Sequence, residues 1–467
     1  MEKAHFGMIG LGTMGRNFLL NIAEHGIGGV GYDLDEGKRK LLLEEGAGMP
    51  VDVGNDLADF IAKLETPRNI MMLVPAGPIV DSVINDLLPY LEKADLIIDG
   101  GNSHFTDTEK READLSEKGI EFMGVGVSGG EEGARYGASI MPGGRKEFYD
   151  RIEPVLQAVS AKVNGEPCVA YMGSGSAGHF VKMVHNGIEY GLMQIIAETY
   201  DFMRRALRMD AAACSETFAE WNDGELNSFL IEITAEVLRK IDPDTGNPLV
   251  EMVLDEAAQK GTGKWTSQAA MDFGVPIPTI DSAVSMRQIS AQKELRGEIA
   301  AIYPVPDQQN DSAVSLSSLK NALLNSFIII YAQGLALLQT ASVEKKYGLN
   351  LSEIAKIWRG GCIIRSALLE EMRRAFADKP DLANLMLDDD FAKTLKANRE
   401  DWRLVIEEFA NNRIPAMCFA SSMNYFGAFR SEKLPANLIQ AQRDFFGAHT
   451  YKRIDKEGIF HTSDWNS

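Results

Sequence analysis

The N-terminal part of the chain alternates short apolar runs with segments of helical periodicity. Runs such as HFGMIG, NIMMLV, DLIIDGG and IEFMGVGVSGG are each followed by a stretch in which apolar residues recur every three or four positions. Short apolar runs bounded by glycine or proline are typical of buried strands, and strands that alternate with helices are typical of parallel sheets. The pattern predicts an α/β Rossmann-type domain with a mostly parallel, doubly wound sheet over residues 1–177.

The strand pattern nearly disappears after residue 178, where long segments of helical periodicity follow. The most apolar of them, LLNSFIIIYAQGLALLQTA, has the composition of a helix at the centre of a core. A different pattern begins at Pro435, with aromatic and basic residues that a disordered tail usually lacks. We therefore expect a large all-α domain over residues 178–434 and a protruding tail, residues 435–467, that docks on another surface.

One segment of the second domain inverts the usual pattern of a surface helix. Five polar residues share one face of an otherwise apolar helix, at Lys182, His185, Asn186, Glu189 and Tyr190. Because the rest of the segment is apolar and should be buried, the polar face is expected to line a cavity. The same spacing also fits a ladder of surface ion pairs, so the pattern by itself leaves both interpretations open.

Composition narrows the classes of partner. With 467 residues, 45% of them hydrophobic, the chain can bury a large core. A formal charge of −20 argues against binding to nucleic acid or to an anionic membrane, and we find neither a signal peptide nor a run of about 18 apolar residues. The four cysteines form no metal-binding motif, so we expect reduced thiols, no metal site and a cytoplasmic location.

A glycine motif follows the first apolar run. Gly10, Gly12 and Gly15 form a GxGxxG pattern between a strand and a helix, and Asp33 ends the next strand about 20 positions later. Such glycines permit a tight turn, approach of a pyrophosphate to the helix N-terminus, and close packing of helix on strand. Asp33 is placed to accept hydrogen bonds from an adenosine ribose, and its charge would repel a 2′-phosphate. The motif predicts a dinucleotide site that prefers NAD; the alternative is a glycine-rich turn without a ligand.

Two further loops end strands at the edge of the sheet where ligands bind in such folds. One loop carries Asn102, and the other carries Ser128, Gly129 and Gly130. Their neutral side chains and exposed backbone N–H groups suit hydroxyl and carboxylate ligands, although each loop alone also fits a simple turn.

The segment QKGTGKWT has part of the composition of a phosphate-binding loop. It lacks the Walker spacing, because Ala258 stands where the first glycine belongs and Trp265 where a Ser or Thr belongs. We therefore reject a nucleotidase. Lys260 and Thr262 remain candidates for holding a sugar phosphate, with Arg287 as a second cation.

Taken in order, several blocks closely resemble decarboxylating 6-phosphogluconate dehydrogenase over essentially the whole chain. They are GLGTMG, DGGNS, VSGGEEGARYG, GHFVKMVHNGIEYG, QKGTGKWT, RGGCIIRS and LPANLIQAQRDFFGAHTY. The resemblance implies a nucleotide-binding domain, a large all-helical domain, and a tail that penetrates the partner subunit of a homodimer. It also implies a reaction of the pentose phosphate pathway, in which 6-phosphogluconate is oxidised at C3, CO2 is released and ribulose 5-phosphate is formed.

The resemblance assigns roles to the polar face. Lys182 matches the family's general acid/base, which takes the C3 hydroxyl proton and returns it to the carbonyl oxygen as CO2 departs. Glu189 matches the acid that protonates C1 of the resulting enediol. An ammonium in a cavity of low dielectric can stabilise a developing enolate without a metal, and burial must lower its pKa if it is to act first as a base. Each of the two groups is expected to be protonated when the other is not.

The other site residues follow from the resemblance by position. The expected cofactor residues are Gly10, Gly12, Thr13, Met14, Gly15, Asp33, Val74 and Asn102. The expected ligands of the substrate's carboxylate and hydroxyls are Asn102, Ser128, Gly129, Gly130, His185 and Asn186. The expected ligands of its phosphate are Tyr190, Lys260, Thr262 and Arg287, with Arg443 and His449 from the other subunit. This set implies shared active sites and an inactive isolated monomer.

Two segments depart from the pattern of NADP-dependent members. Those members usually carry Asn-Arg-Thr after the second strand, where the Arg engages the 2′-phosphate, whereas this chain reads Tyr32-Asp33-Leu34. They also commonly read Leu-Val-Lys-Ala-Gly where this chain has proline in place of the lysine, at Leu73-Val74-Pro75. We therefore expect NAD as the preferred cofactor, with NADP accepted more weakly.

Two rival functions belong to other classes. One is a β-hydroxyacid dehydrogenase that oxidises a hydroxy acid without loss of CO2, and the basic set of Lys260, Arg287 and Arg443 argues instead for a phosphorylated substrate. The other is a non-enzymatic NAD-binding sensor or scaffold. The presence of both Lys182 and Glu189 argues against it.

Overall fold

The computed structural model describes residues 3–305 and 312–465, and its N-terminal part is built on a seven-stranded sheet. In chain order the strands of this sheet are β1 (Phe6–Ile9), β2 (Gly29–Tyr32), β3 (Val51–Val53), β4 (Asn69–Met72), β5 (Leu96–Asp99), β6 (Glu121–Ser128) and β7 (Ser139–Gly143). Two short strands, β8 (Lys162–Val163) and β9 (Glu166–Pro167), form a separate antiparallel pair. The sheet order is β3-β2-β1-β4-β5-β6-β7, with β7 antiparallel to β6 and the other pairs parallel. The expected mostly parallel sheet is confirmed.

Helices cover both faces of this sheet and make up the remainder of the fold. The helices of the N-terminal part are α1 (Thr13–Glu24), α2 (Glu36–Glu45), α3 (Leu57–Ala62), α4 (Pro78–Leu87), α5 (Phe105–Ser116), α6 (Gly130–Tyr136) and α7 (Lys146–Val159). Those that follow are α8 (Ala177–Arg205), α9 (Ala211–Asn222), α10 (Phe229–Arg239), α11 (Leu249–Met252), α12 (Thr262–Asp272), α13 (Pro278–Ser290), α14 (Lys293–Ile302), α15 (Leu316–Glu344), α16 (Leu351–Trp358), α17 (Leu368–Asp378), α18 (Asp389–Ala397), α19 (Arg399–Asn411), α20 (Met417–Phe429) and α21 (Ala436–Gly447).

Strand burial explains why the N-terminal sequence lacks a polar alternation. Every residue of β1 and β5 is buried, because helices pack on both faces of the sheet. The carboxyl ends of these parallel strands meet at one edge, where β1 leads into Gly10, β5 ends at Asp99 and β6 ends at Ser128. The loops singled out in the sequence therefore lie along one edge of the sheet.

Two helices of 29 residues each, α8 and α15, pack against each other at the centre of the second domain. By length and composition α15 is able to cross a membrane, but 89% of its most apolar window is buried inside the protein. It is thus a core helix here, as its apolar sequence predicts. In α8, the two arginines of the last turn, Arg204 and Arg205, lie at the negative end of the helix dipole.

Glycines bring α8 into direct contact with the sheet. A Cβ at Gly178 would lie 2.3 Å from the carbonyl oxygen of Gly124 on β6, and a Cβ at Gly126 would lie 2.5 Å from Cβ of Lys182. Side chains at either position would push the helix away. Their absence places Lys182 directly over the end of β6.

The C-terminal tail folds around the carboxylate of Asp444, which is 1% exposed. It accepts hydrogen bonds from the backbone N–H groups of Thr450 and Thr462 at 2.9 Å each, from His461 Nδ1 at 2.9 Å and from Trp465 Nε1 at 3.2 Å. The tail also exposes large apolar side chains, at Leu438, Ile439, Phe445, Phe446, Ile454 and Ile459. The tail therefore carries an exposed apolar surface although its fold is held together by Asp444.

Candidate active site

The polar face of α8 forms a buried hydrogen-bonded cluster with the end of β6. Lys182 Nζ lies 3.2 Å from Ser128 Oγ, and His185 Nε2 lies 3.4 Å from the same oxygen. On the other side of the imidazole, Nδ1 lies 3.2 Å from Asn186 Oδ1 and 4.0 Å from Glu189 Oε2. Lys182, His185 and Asn186 are buried, which excludes the ladder of surface ion pairs.

The acceptors around His185 fix the direction of these hydrogen bonds. Nδ1 faces the amide oxygen of Asn186, so it carries the proton, and Nε2 accepts from the Ser128 hydroxyl. Ser128 Oγ is then free to accept from Lys182 Nζ. Burial and the nearby Lys182 hold the pKa of His185 well below its usual value, so the imidazole is neutral.

Burial acts in opposite senses on the two groups expected to transfer protons. It lowers the pKa of Lys182, against the attraction of Glu189, and so favours the neutral amine. It raises the pKa of Glu189, against the charges of Lys182 and Arg287, and so favours the protonated acid. The site therefore holds a base and an acid about two turns apart on one helix.

Tyr190 joins this cluster to a second group of expected residues. The guanidinium of Arg287 on α13 lies 4.6 Å from the centre of the Tyr190 ring and donates to the backbone carbonyl of Ala258 at 2.9 Å. Thr262 is the first residue of α12, and a Cβ at Gly263 would lie 2.6 Å from the Tyr190 ring. Tyr190, Thr262 and Arg287 are thus brought together at one end of the polar face, next to the exposed Lys260.

The segment between α16 and α17 closes the other side, and the sequence reasoning assigned it no role. The carbonyl oxygen of Gly361 accepts from Ser139 N–H at 2.8 Å, and a Cβ at Gly129 would lie 2.6 Å from that oxygen. The ring of Trp358 meets the edge of His185 at 5.6 Å between ring centres. Burial raises the pKa of the neighbouring Cys362 thiol to about 12, so it stays protonated. The RGGCIIRS block was the available signal, but only tertiary packing shows what it touches.

The glycine turn has the shape that a dinucleotide requires. Gly10 has φ +90°, and a Cβ there would lie 2.6 Å from the carbonyl oxygen of Leu73 and 2.9 Å from Val74. A Cβ at Gly15 would lie 1.9 Å from the Gly10 carbonyl oxygen, whereas one at Gly12 would meet no described atom within 4 Å. The open space therefore lies at the N-terminus of α1, where Thr13 and Met14 form the first turn. That is where a pyrophosphate would bind, and the residues fit a dinucleotide.

Asp33 is tied to this turn and to a nearby lysine. Its Oδ2 accepts from Leu11 N–H at 2.8 Å and lies 3.3 Å from Lys38 Nζ, while its side chain is 13% exposed. Arg39 donates to the backbone carbonyl of Asp33 and places its guanidinium 6.0 Å from the Tyr32 ring. The sequence reasoning missed both cations, although each follows Asp33 within two helical turns.

The structure leaves three of the expected residues apart from the buried cluster. Asn102 is exposed in the loop after β5, on the sheet edge that carries Ser128. Arg443 and His449 are exposed on the tail, where Arg443 donates to Gln440 Oε1 at 3.2 Å. Within residues 3–305 and 312–465, neither makes a hydrogen bond or ion pair with the α8 cluster, and no group of three or more His, Cys, Asp or Glu side chains could hold a metal ion.

Comparisons with known proteins agree with this geometry over the full chain. Residues 5–173 match the NAD binding domain of 6-phosphogluconate dehydrogenase, and residues 178–465 match the 6-phosphogluconate dehydrogenase C-terminal domain. The NADP(+)-dependent, decarboxylating 6-phosphogluconate dehydrogenase of Bacillus subtilis is 48% identical over 468 residues, covering 100% of both proteins. The decarboxylating 6-phosphogluconate dehydrogenase of Escherichia coli is 46% identical over 468 residues, again covering 100% of both.

Solved structures give the same result. Plasmodium falciparum 6-phosphogluconate dehydrogenase, whose structures include the apo form and complexes with NADP+ and 6-phosphogluconate, superposes with a TM-score of 0.96 at 43% identity. The match covers 98% of this chain and 99% of that one. On these matches and on the site described above, this chain belongs to the 6-phosphogluconate dehydrogenase family.

Proposed function

We propose that this protein catalyses the oxidative decarboxylation of 6-phosphogluconate to ribulose 5-phosphate and CO2, with reduction of a nicotinamide cofactor. The observation that carries the proposal is the buried cluster of Lys182, Ser128 and His185, in which His185 Nδ1 lies 4.0 Å from Glu189 Oε2. It lies at the sheet edge that also carries the glycine turn. The cluster supplies a base and an acid for the two proton transfers that this reaction needs. Its relatives of similar length are named decarboxylating enzymes.

Lys182 performs the first proton transfer. Because burial lowers its pKa, the neutral amine is available to take the proton of the C3 hydroxyl. A nicotinamide cofactor held at the turn of Gly10, Gly12 and Gly15 would supply the acceptor for the hydride of C3. The ammonium that results then donates a hydrogen bond to the C3 carbonyl oxygen, and it stabilises the enolate that develops there as the C1 carboxylate leaves as CO2. Ser128 Oγ, 3.2 Å from Nζ, holds the amine in place.

Glu189 performs the last proton transfer, to C1 of the enediol. Burial raises its pKa and so favours the protonated acid, which donates to C1 while Lys182, about two helical turns away, accepts the proton of the enediol hydroxyl. The neutral imidazole of His185 lies between the two, with Nδ1 3.5 Å from Lys182 Nζ and 4.0 Å from Glu189 Oε2, and we assign it to a substrate hydroxyl by its position. We assign Asn102, Gly129, Gly130 and Asn186 to the carboxylate and hydroxyls by their positions.

The phosphate end of the substrate is assigned to the residues around Tyr190. Thr262, Lys260 and Arg287 supply a hydroxyl and two cations at one end of the polar face. A negatively charged protein needs such a local concentration of cations to bind an anionic substrate. We propose that Arg443 and His449 of the partner subunit complete this end of the site.

A homodimer with shared sites is therefore part of the proposal. Its support is the tail, which is ordered by Asp444 and exposes Phe445, Phe446 and Ile454. Deletion of residues 435–467 should leave a chain that sediments as a monomer and has no turnover; full activity of that monomer would contradict shared sites.

A cytoplasmic location suits the buried thiols of Cys168, Cys214, Cys362 and Cys418, which form no disulfide.

We further propose that NAD is preferred and that NADP is used more weakly. By its position after β2 we assign the carboxylate of Asp33 to the adenosine ribose, and its charge would repel a 2′-phosphate. Lys38, 3.3 Å away, reduces that repulsion, so NADP is disfavoured without being excluded. The Bacillus subtilis relative is named NADP(+)-dependent, which makes a direct measurement on this chain necessary.

The cofactor proposal is tested by kcat/KM for NAD and NADP at equal ionic strength. We expect a ratio in favour of NAD, and Asp33→Asn should shift the ratio toward NADP by about tenfold, as expected for the loss of one repulsive contact. Lys38→Met is the companion variant and should shift the ratio further toward NAD. A tenfold preference of the unaltered protein for NADP would contradict the proposal.

The reaction itself is tested by steady-state kinetics with 6-phosphogluconate and trapping of the evolved CO2. Equal amounts of reduced cofactor and CO2 are expected. Reduced cofactor without CO2 would favour a non-decarboxylating β-hydroxyacid dehydrogenase, and NAD binding without turnover would favour a sensor. Lys182→Ala should abolish turnover and leave NAD binding nearly unchanged, because Lys182 lies on α8 and the glycine turn lies on β1 and α1.

A further inference from the structure

A second histidine lies on α8, one helical turn before Lys182, and it belongs to none of the groups assigned above. His179 is 1% exposed. Its Nε2 lies 3.0 Å from the backbone carbonyl oxygen of Asp99, and its Nδ1 lies 2.6 Å from Thr108 Oγ1. One side chain of the catalytic helix thus contacts both the end of β5 and the first turns of α5.

The partners of His179 fix its tautomer. The Asp99 carbonyl oxygen is only an acceptor, so Nε2 must carry the proton and donate it. Burial lowers the pKa of His179, against the nearby charge of Asp99 and with that of Arg111, so the ring is neutral and Nδ1 accepts from the Thr108 hydroxyl. The bond to the Asp99 carbonyl is therefore a directed link from α8 to the loop after β5.

That loop is itself held by the side chain of Asp99. Its Oδ1 accepts from Gly101 N–H at 3.0 Å, and its Oδ2 accepts from the Ser103 hydroxyl at 2.6 Å and lies 3.6 Å from Arg111 Nη1. These contacts tie the backbone on both sides of Asn102 to the Asp99 carboxylate. A shift of the Asp99 carbonyl would consequently move Asn102 with it.

The side chains around the imidazole of His179 leave no space for one additional methyl group. A Cβ at Gly124 on β6 would lie 2.7 Å from His179 Nδ1 and 2.8 Å from Cγ2 of Thr108. The ring is therefore enclosed by β6, α5 and the loop, and this packing restricts its movement while both hydrogen bonds are formed.

We propose that His179 is a positioning residue that fixes the loop carrying Asn102 relative to the helix carrying Lys182. The proposal rests on the proposed function for its effect on turnover. Asn102 is expected to contact both cofactor and substrate, so a displaced loop would weaken the binding of both while the proton-transfer groups of α8 stay in place. A misplacement of about 1 Å in such a contact can cost up to about 100-fold.

Two substitutions separate the hydrogen bond to the loop from the presence of a buried polar group. Glutamine at 179 can place its amide nitrogen near the position of Nε2 and keep the donation to the Asp99 carbonyl, whereas asparagine is too short to reach it. For His179→Asn we expect a rise of about 10- to 100-fold in KM for 6-phosphogluconate and in Kd for NADH, with kcat reduced less than threefold. For His179→Gln we expect most of the binding to return.

The decisive comparison is a double-mutant cycle with Asn102→Ala. If His179 acts through the loop, His179→Asn should change NADH affinity at least fivefold less in the Asn102→Ala background than in the wild-type background. Additive effects would overturn the proposal, as would equal effects of the asparagine and glutamine variants, or a fall in kcat with unchanged KM. Ser215→Ala, which removes a buried hydrogen bond of 2.7 Å to the Ala235 carbonyl between α9 and α10, is the control for lost stability alone.

Thr108→Val provides the same test if the asparagine variant does not fold. It keeps the shape of the side chain and removes the donor to Nδ1, so the same rise in KM and Kd is expected at a smaller size, about 3- to 10-fold. Unchanged Kd in this variant would overturn the proposal. NADH affinity can be measured without turnover. If the wild-type protein failed to oxidise 6-phosphogluconate, the proposed reaction would be refuted, and the NADH affinities of the variants would still test the role of His179.

Discussion

Replacing Lys182 with methionine should abolish turnover and make the folded protein more stable. The side chain is 6% exposed, and its ammonium has one hydrogen bond of good length, to Ser128 Oγ at 3.2 Å. An ammonium is a donor of three hydrogen bonds and loses most of its hydration in such a site. Methionine has a similar length and carries no charge to desolvate, so it removes this cost along with the chemistry.

The sign and size of the effect follow from the lowered pKa of Lys182. Because the folded pKa lies below the unfolded one, the unfolded chain binds the proton more tightly, and folding is penalised at every pH below the folded pKa. The penalty grows by about 1.4 kcal/mol for each pKa unit of difference, and it vanishes as the pH rises above about 10.4. We expect Lys182→Met to raise the free energy of unfolding at pH 7 by roughly 1–3 kcal/mol.

Urea unfolding and steady-state turnover of the same preparations check this expectation. The stabilisation should be present at pH 7 and should shrink at pH 10, and turnover should fall at least about 1,000-fold because one group is lost as base and as enolate stabiliser. Lys40→Met, which removes an exposed ion pair with Glu36, is the matched control and should change neither quantity. A less stable Lys182→Met protein at pH 7, or one that keeps more than a hundredth of its turnover, would refute the reasoning.

Three further outcomes are expected. The pH profile of kcat/KM should be bell-shaped, because the reaction needs neutral Lys182 and protonated Glu189, and in Glu189→Gln the residual activity should rise with pH without an alkaline decline. Burial raises the pKa of Glu198 to about 7 from a usual 4.5, so the wild type loses stability as the pH rises between those two values. Glu198→Gln cannot ionise, so between pH 5 and pH 8 its free energy of unfolding should rise by roughly 3 kcal/mol relative to that of the wild type. In Gly126→Ala the new Cβ would lie 2.5 Å from Cβ of Lys182, so the free energy of unfolding should fall by about 1–3 kcal/mol and kcat/KM by about tenfold. Gly297→Ala, where a Cβ would meet no described atom within 4 Å, is the control and should change neither quantity.

Much of the fold could be read from local patterns. The apolar runs gave the strands of the parallel sheet, and the loss of that pattern after residue 178 gave the helical domain. The glycine spacing placed a tight turn at Gly10 with φ +90°. These features depend on residues close together in sequence, where the period of a strand or helix fixes which side chains share a face.

Relations between distant segments could not be read in the same way. The spacing of Lys182 and Glu189 fitted a surface ladder as well as a cavity wall, and burial against β6 decided between them. Nothing local indicated that Gly361 would lie against Gly129. Whether such segments meet depends on packing of side chains far apart in the chain, which periodicity does not encode.

The sequence by itself determined which groups share the polar face of α8 and that a dinucleotide turn precedes them. Only the tertiary structure decided their chemical state. The distance of 3.2 Å from Lys182 to Ser128, the neutral imidazole of His185 and the bond of His179 to the Asp99 carbonyl all arise where α8 lies on the sheet. The physical reason is that pKa values and hydrogen-bond directions depend on burial and on partners from other segments, whereas helical periodicity depends only on a residue's neighbours along the chain.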